Sequence, residues 1–333
     1  MIKPDADGRW PVLLMPGPTA SGKTELALRL ADRLPVALIS VDSALVYRQL
    51  DIGTAKPDAD TLRRYPHALV NIRDPAVAYS VAEFRDDALT AMQAARDQGR
   101  LPVLVGGTML YFKVLAEGMA QMPSATPALR AELTSQLAVE GSAAMHARLA
   151  EVDPQAAAGM HPNNRQRILR ALEVYHVSGR PISWWWQRQT RARPAWEQTF
   201  APRYVGLACG QRALAHARIA ARLEQMLALG LVDEVAALRA RGDLHLDLPA
   251  LRAVGYRQVW QYLDGDYDHA AMCERVLVAT RGLLRRQLTW LRKYEPLLAA
   301  DEHLVTDLEQ AEAHALACLE MPESAIMLLW QSA

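Results

Sequence analysis

The feature that most restricts this chain is the octet Gly17-Pro18-Thr19-Ala20-Ser21-Gly22-Lys23-Thr24, a G-x-x-x-x-G-K-[ST] pattern. Its glycines let the backbone curl so that successive N–H groups face inward onto phosphate oxygens. The helix that follows adds partial positive charge at its N-terminus, Lys23 adds a full charge, and Thr24 offers a hydroxyl to Mg²⁺. The geometry works only between a strand and a helix. Val12–Met15 reads as that strand and residues 23–34 as that helix. A di- or triphosphate is the expected ligand, and the loop does not say which molecule carries it.

The flanking pattern extends this unit into a parallel sheet. A second buried strand is expected at 36–41, a helix at 80–98 with Ser80 as N-cap, and a strand at 102–105. In such sheets ligands sit beyond the carboxyl ends of the strands. Attention therefore falls on Gly17–Thr24, Asp42-Ser43 and Gly106-Gly107-Thr108. After about Met119 the texture becomes helical, with patterns at 127–140, 142–151 and 164–178, and the next strand is expected only at 203–208. Long helices follow at 211–229, 231–241 and 268–293. The expected division is a core of 1–120 and 199–300, a helical insertion at 121–198, and a tail at 301–333 that carries no readable site signal.

Asp42 ends the second strand. A carboxylate there can bind Mg²⁺, act as a general base or cap the next turn. No other apolar run ends in an acid near the loop. Thr108, after paired glycines that allow close backbone approach, can donate or accept a hydrogen bond.

The 37 acidic and 37 basic residues balance, yet only five of the bases are lysines. Between His161 and Arg222 lie eleven arginines (Arg165, Arg167, Arg170, Arg180, Arg188, Arg191, Arg193, Arg203, Arg212, Arg218 and Arg222) against Glu173 and Glu197, a local +9. Arginine suits phosphate and base edges, so this tract suggests a polyanion site. Arg252–Arg257 forms a second basic cluster, and Arg281, Arg285, Arg286 and Arg292 recur along one helix. Trp184-Trp185-Trp186 could stack on bases, or simply pack the insertion. Three scattered cysteines suggest neither a disulfide framework nor a zinc site. No apolar run approaches the roughly 18 residues that span a bilayer, and no secretory pattern opens the chain. The expectation is a soluble, cytoplasmic protein with no membrane association.

Taken together, 17–24, Val-Asp-Ser-Ala-Leu-Val-Tyr at 41–47, Asp-Ile-Gly-Thr-Ala-Lys-Pro at 51–57, Val-Gly-Gly-Thr-Met-Leu-Tyr at 105–111, Gln-Arg-Ile-Leu-Arg-Ala-Leu-Glu-Val at 166–174 and Val-Gly-Tyr-Arg-Gln at 254–258 closely resemble the bacterial tRNA dimethylallyltransferases. The resemblance runs in order over about residues 10–295. It implies an α/β fold, a P-loop NTPase-like parallel sheet core with an inserted, smaller all-helical domain. It also implies transfer of a dimethylallyl group from its diphosphate to N6 of the adenosine 3′ of the anticodon, in tRNAs reading codons that begin with U.

Carried over by position, the resemblance assigns Gly17, Pro18, Thr19, Ala20, Ser21, Gly22, Lys23, Thr24, Arg218 and Arg222 to the donor diphosphate, with Mg²⁺ at Thr24. Asp42 is the expected base, Thr108 orients the adenine, and Lys23 neutralises the leaving group. Asp42, Ser43, Ala44, Leu45, Thr108, Arg130, Gln166, Arg167, Ile168, Leu169, Arg170, Arg252, Ala253, Val254, Gly255, Tyr256 and Arg257 are expected at the tRNA anticodon stem-loop. No obligate protein partner is implied. Pro16 and the region 181–203 depart from the family pattern, and no Cys–His zinc extension occurs. The alternatives are an ATP-dependent P-loop small-molecule kinase and a non-catalytic RNA-binding switch.

Overall fold

The computed structural model describes residues 2–118, 122–188, 195–321 and 324–331. Seven strands make one parallel sheet: β1 (Trp10–Pro16), β2 (Val36–Ser40), β3 (His67–Ala68), β4 (Leu101–Gly106), β5 (Phe200–Cys209), β6 (Asp301–Val305) and β7 (Ala325–Trp330). Their spatial order is β3-β2-β4-β1-β5-β7-β6. The P-loop NTPase-like arrangement follows from this order, because the chain leaves β1 toward β2 on one side and later returns on the other at β5. That reversal opens a crevice at the carboxyl end of β1.

Alternation builds the two faces. Val12 and Leu14 of β1 enter one apolar cluster with Phe84, Met92 and Tyr256, whereas Leu13 and Met15 enter a second with Leu26, Leu30 and Val205. The helix Val81–Asp97 begins at a capping box between Ser80 and Glu83, as its sequence predicts.

The chain divides into two compact units, Met1–Ala116 with Pro194–Ala333, and Glu117–Arg193. In the smaller unit, helix Pro127–Val152 is two helical stretches joined across Gly141, which holds left-handed backbone (φ 82°). Helix Arg165–Ser178 buries Ile168 and Leu172 with Leu133, Met145 and Leu149. Ile168, expected at the tRNA, is therefore a core residue of this unit.

The tail also departs from expectation. Residues 301–330 are not an appendage: they supply β6, helix Leu308–Glu320 and β7, and β7 pairs with β5 from Tyr204↔Ala325 to Cys209↔Trp330. Buried Glu312 accepts from Arg29 (3.3 Å) and Arg33 (3.0 Å) of the helix Lys23–Arg33. Arg203 is another correction. It lies buried within β5, donating to the carbonyls of Ala201 and Pro202, so it cannot present charge to a polyanion.

Gly106 permits the closest approach in the sheet. A Cβ there would collide with the backbone of Val41, which cannot rotate away. Gly106→Ala should lower stability by about 3 kcal/mol through overpacking. Urea denaturation checks this, and an unchanged midpoint would refute it.

Candidate active site

Three loops meet where β1, β2 and β4 end. Registers Pro16↔Gly106 and Ser40↔Val105 bring those ends level. Backbone bonds then stitch the loops together: Gly17 N–H donates to Gly106 C=O (3.1 Å), Val41 N–H to Val105 C=O (2.8 Å), and Thr108 N–H to Val41 C=O (3.2 Å).

The first loop is a cradle. Ala20 and Gly22 both adopt left-handed backbone (φ 61° and 76°), which turns neighbouring N–H groups toward one side. Lys23 opens the helix and folds its Nζ onto the Pro18 carbonyl (3.2 Å). Protein packed around this ammonium is the main influence on it, pushing its pKa down to about 8. The Asp42 carboxylate opposes that shift, and the Arg222 guanidinium adds to it.

Arg222 and Arg218, both from helix Arg212–Ala228, border the cradle. Arg222 Nη1 reaches Thr19 Oγ1 and Arg218 Nη1 reaches the Ala20 carbonyl, each at 3.4 Å. Thus Gly17 to Thr24, Arg218 and Arg222 form one cationic pocket. Thr24 is exposed at its mouth, and no cluster of three or more His, Cys, Asp or Glu able to hold a metal occurs among the described residues. The Thr24 hydroxyl can give one oxygen to a hard divalent cation whose other ligands come from a diphosphate and water.

Asp42 fills one of the roles its position allows. Its Oδ1 accepts the N–H groups of Ala44 (2.8 Å) and Leu45 (3.3 Å), so it does cap the turn. Its Oδ2 has no such partner among the described residues, so one carboxylate oxygen stays outside the turn. Thr108 Oγ1 accepts the Ser43 N–H (3.0 Å) and donates to Ser43 Oγ (3.2 Å). The Thr108 hydroxyl thereby fixes the residue next to Asp42.

Sequence reasoning missed Gln287. Its Oε1 accepts the Thr19 N–H and its Nε2 donates to the Gly107 carbonyl, each at 2.9 Å, so one carboxamide ties the cradle to the glycine pair. The available signal was a polar residue on the row Leu284, Gln287, Leu288, Leu291, whose leucines pack inward. Glu234 was also missed. Its carboxylate accepts the N–H groups of Asp51, Ile52 and Gly53 (3.0, 2.8 and 3.1 Å) and the hydroxyl of Tyr256 (2.5 Å).

The other expected tRNA residues divide by exposure. Ser43, Arg130, Gln166, Arg167 and Arg252 are exposed. Ala44, Leu45, Leu169, Arg170, Ala253, Val254 and Arg257 are half-buried, whereas Gly255 and Tyr256 are buried. Tyr256 is a structural residue, with its phenol held by Glu234 and its ring beneath Gly53. In the helical unit, Arg130 and Arg170 share the buried Glu173 (3.0 and 3.4 Å). Trp184 is covered by the guanidinium groups of Arg180 and Arg188, 5.5 and 3.8 Å from its ring centre. Arg191 and Arg193 lie outside the described residues.

A family model described as IPP transferase matches residues 45–294. The tRNA dimethylallyltransferase of Chromohalobacter salexigens is 55% identical over 87% of this chain and 92% of its own length. The tRNA dimethylallyltransferase 2 of Hahella chejuensis is 50% identical over 88% of this chain and 91% of its own. Among solved structures, the full-length tRNA isopentenylpyrophosphate transferase of Bacillus halodurans aligns with a TM-score of 0.63 at 32% identity, covering 93% of this chain and 97% of that one. With a family match over most of its length and relatives at this identity, the chain belongs to the IPP transferase family of tRNA dimethylallyltransferases.

Proposed function

We propose that this enzyme transfers a dimethylallyl group from dimethylallyl diphosphate to N6 of the adenosine 3′-adjacent to the anticodon, in tRNAs that read codons beginning with U. Family membership supports the reaction. The observation that carries the residue roles is the meeting of a cationic cradle with the Asp42 carboxylate at one end of the sheet.

The chemistry suits these residues. Breaking the allylic C–O bond sends its electron pair onto the diphosphate, where inward N–H groups, Lys23, Arg218 and Arg222 stabilise the growing charge. They act most strongly on the transition state because charge accumulates there during bond breaking. Mg²⁺, held through the Thr24 hydroxyl, would supply further charge to the leaving diphosphate. The N6 lone pair closes the new C–N bond, and the N6 proton passes to the free oxygen of Asp42. Adenine reaches the site only when flipped from its stacked loop. Exposed Arg130, Gln166 and Arg167 on the helical unit, and Arg252 on the core, serve the anticodon stem-loop in the cytoplasm.

Mass spectrometry of anticodon-loop nucleosides after incubation with tRNA and dimethylallyl diphosphate tests the whole reading. A dimethylallyl adduct on that adenosine is expected. Phosphorylation of small acceptors by ATP, with no prenylated tRNA, would overturn it in favour of a kinase.

Asp42→Asn keeps an oxygen to cap the turn and removes the base. Turnover should fall roughly 10²–10⁴-fold while tRNA affinity and melting temperature hold. Equal losses of affinity and rate would assign Asp42 to folding alone.

Lys23 generates a pH dependence. Its free-enzyme pKa near 8 is raised again by a bound anion, so diphosphate binding above pH 8 takes up a proton and weakens as pH rises. Calorimetry in two buffers of different ionisation enthalpy reads that proton, and the absence of uptake at pH 9 contradicts this assignment. Added salt should weaken tRNA binding steeply through counterion release. A flat plot of log affinity against log salt would remove the exposed arginines from the RNA contact.

A further inference from the structure

The tail at 301–330 lies beyond the family match, which ends at residue 294, yet it touches the cradle. We infer that Trp330, the last residue of β7, is a positioning residue for diphosphate binding: it fixes the peptide plane that aims the Gly22 N–H and supports Arg218. This rests on the reading of the cradle as the prenyl-diphosphate site.

The geometry is specific to one peptide unit. Indole Nε1 of the buried Trp330 donates to the Ser21 carbonyl at 2.7 Å. In a trans peptide the carbonyl of one residue and the N–H of the next point in opposite directions. Holding the Ser21 oxygen against the indole therefore turns the Gly22 N–H away from Trp330, and that N–H has no backbone acceptor among the described residues. Left-handed Gly22 is the residue that can hold this conformation beside the ring, since a Cβ there would lie 3.3 Å from Trp330 Cζ2. The opposite peptide orientation would present a carbonyl oxygen to an anion.

The same ring serves Arg218, whose guanidinium lies 5.4 Å from the ring centre while Nη1 approaches the Ala20 carbonyl and the Cys209 sulfur (3.7 Å). A guanidinium on an aromatic face keeps its outward N–H groups available to an anion. Trp330 is itself held firmly. β7 is paired on both sides, by β5 and β6, and Glu312 ties the preceding helix to the helix that Lys23 begins. Strand, indole and cradle form one rigid support.

The test is Trp330→Phe, which retains an aromatic ring and removes the donor. Binding of inorganic pyrophosphate is measured by calorimetry, and steady-state prenylation gives KM for dimethylallyl diphosphate and for tRNA. We expect pyrophosphate affinity to fall about tenfold, with KM for the prenyl donor rising to match and KM for tRNA unchanged. Unchanged pyrophosphate affinity, or equal weakening toward both substrates, overturns the inference. Should Trp330→Phe fail to fold, 3-benzothienylalanine at position 330 keeps the bicyclic ring and exchanges only N–H for sulfur. The same tenfold loss is expected, and native affinity overturns the inference. Wild-type enzyme that binds pyrophosphate but prenylates no tRNA would refute the proposed function. A Trp330→Phe loss of pyrophosphate binding would still support the role of Trp330.

Discussion

The site depends on how closely two neighbouring strands can end. β2 and β4 run parallel in register, and at Gly106 the chain passes Val41 with no room for a side chain. That contact lets Thr108 bond back to Val41 and Ser43, so the turn carrying Asp42 and the turn carrying Thr108 become one structure. β1 ends between β4 and β5, and its loop joins the same group through Gly17 and Gly106. Parallel topology supplies the crevice. The missing Cβ decides whether the three loops can close around it.

Within the crevice, charge is arranged against its own solvation. Burial disfavours the Lys23 ammonium and the Arg222 guanidinium, and Arg222 adds to the pressure on Lys23 while Asp42 offsets part of it. A dianion entering such a place meets donors that are already oriented and poorly hydrated, so little reorganisation is needed as its charge grows. Asp42 can take part because its two oxygens are differently engaged. One is committed to the turn by two backbone N–H groups, which keeps the carboxylate from following either Lys23 or a ligand.

What could be read from the sequence was what is local. The octet, the runs ending at Asp42 and Thr108, and Ser80 as a helix cap all encode their geometry within a few residues, and the structure places them accordingly. Exposure within a motif is local only in part. Ile168 and Tyr256 sit among arginines in sequence. The helical period shared by Ile168 and Leu172 already turns Ile168 inward, against the role the resemblance gave it. Tyr256 is drawn beneath Gly53 by Glu234, which no local pattern reveals. Arg203 added to a favourable charge count while lying inside a strand. Gln287 and Trp330 act through contacts spanning 268 and 309 positions, which no spacing rule detects. The apolar run from Ile326 to Trp330 carries no readable site signal, and nothing in it discloses either its place in the sheet or a neighbour near residue 21.

Those long-range contacts explain how a loop that is largely backbone can be specific in shape. Glycine and small residues give the cradle its freedom, and the same freedom would allow other conformations of the empty loop. Gln287 restrains it from one side through Thr19, and Trp330 from the other through Ser21. Each acts on a backbone atom rather than on a side chain, so each selects an orientation of the peptide plane. The motif therefore specifies which conformations are possible. Residues near the other end of the chain select the one in which donors face the anion, and this selection is made before the ligand arrives.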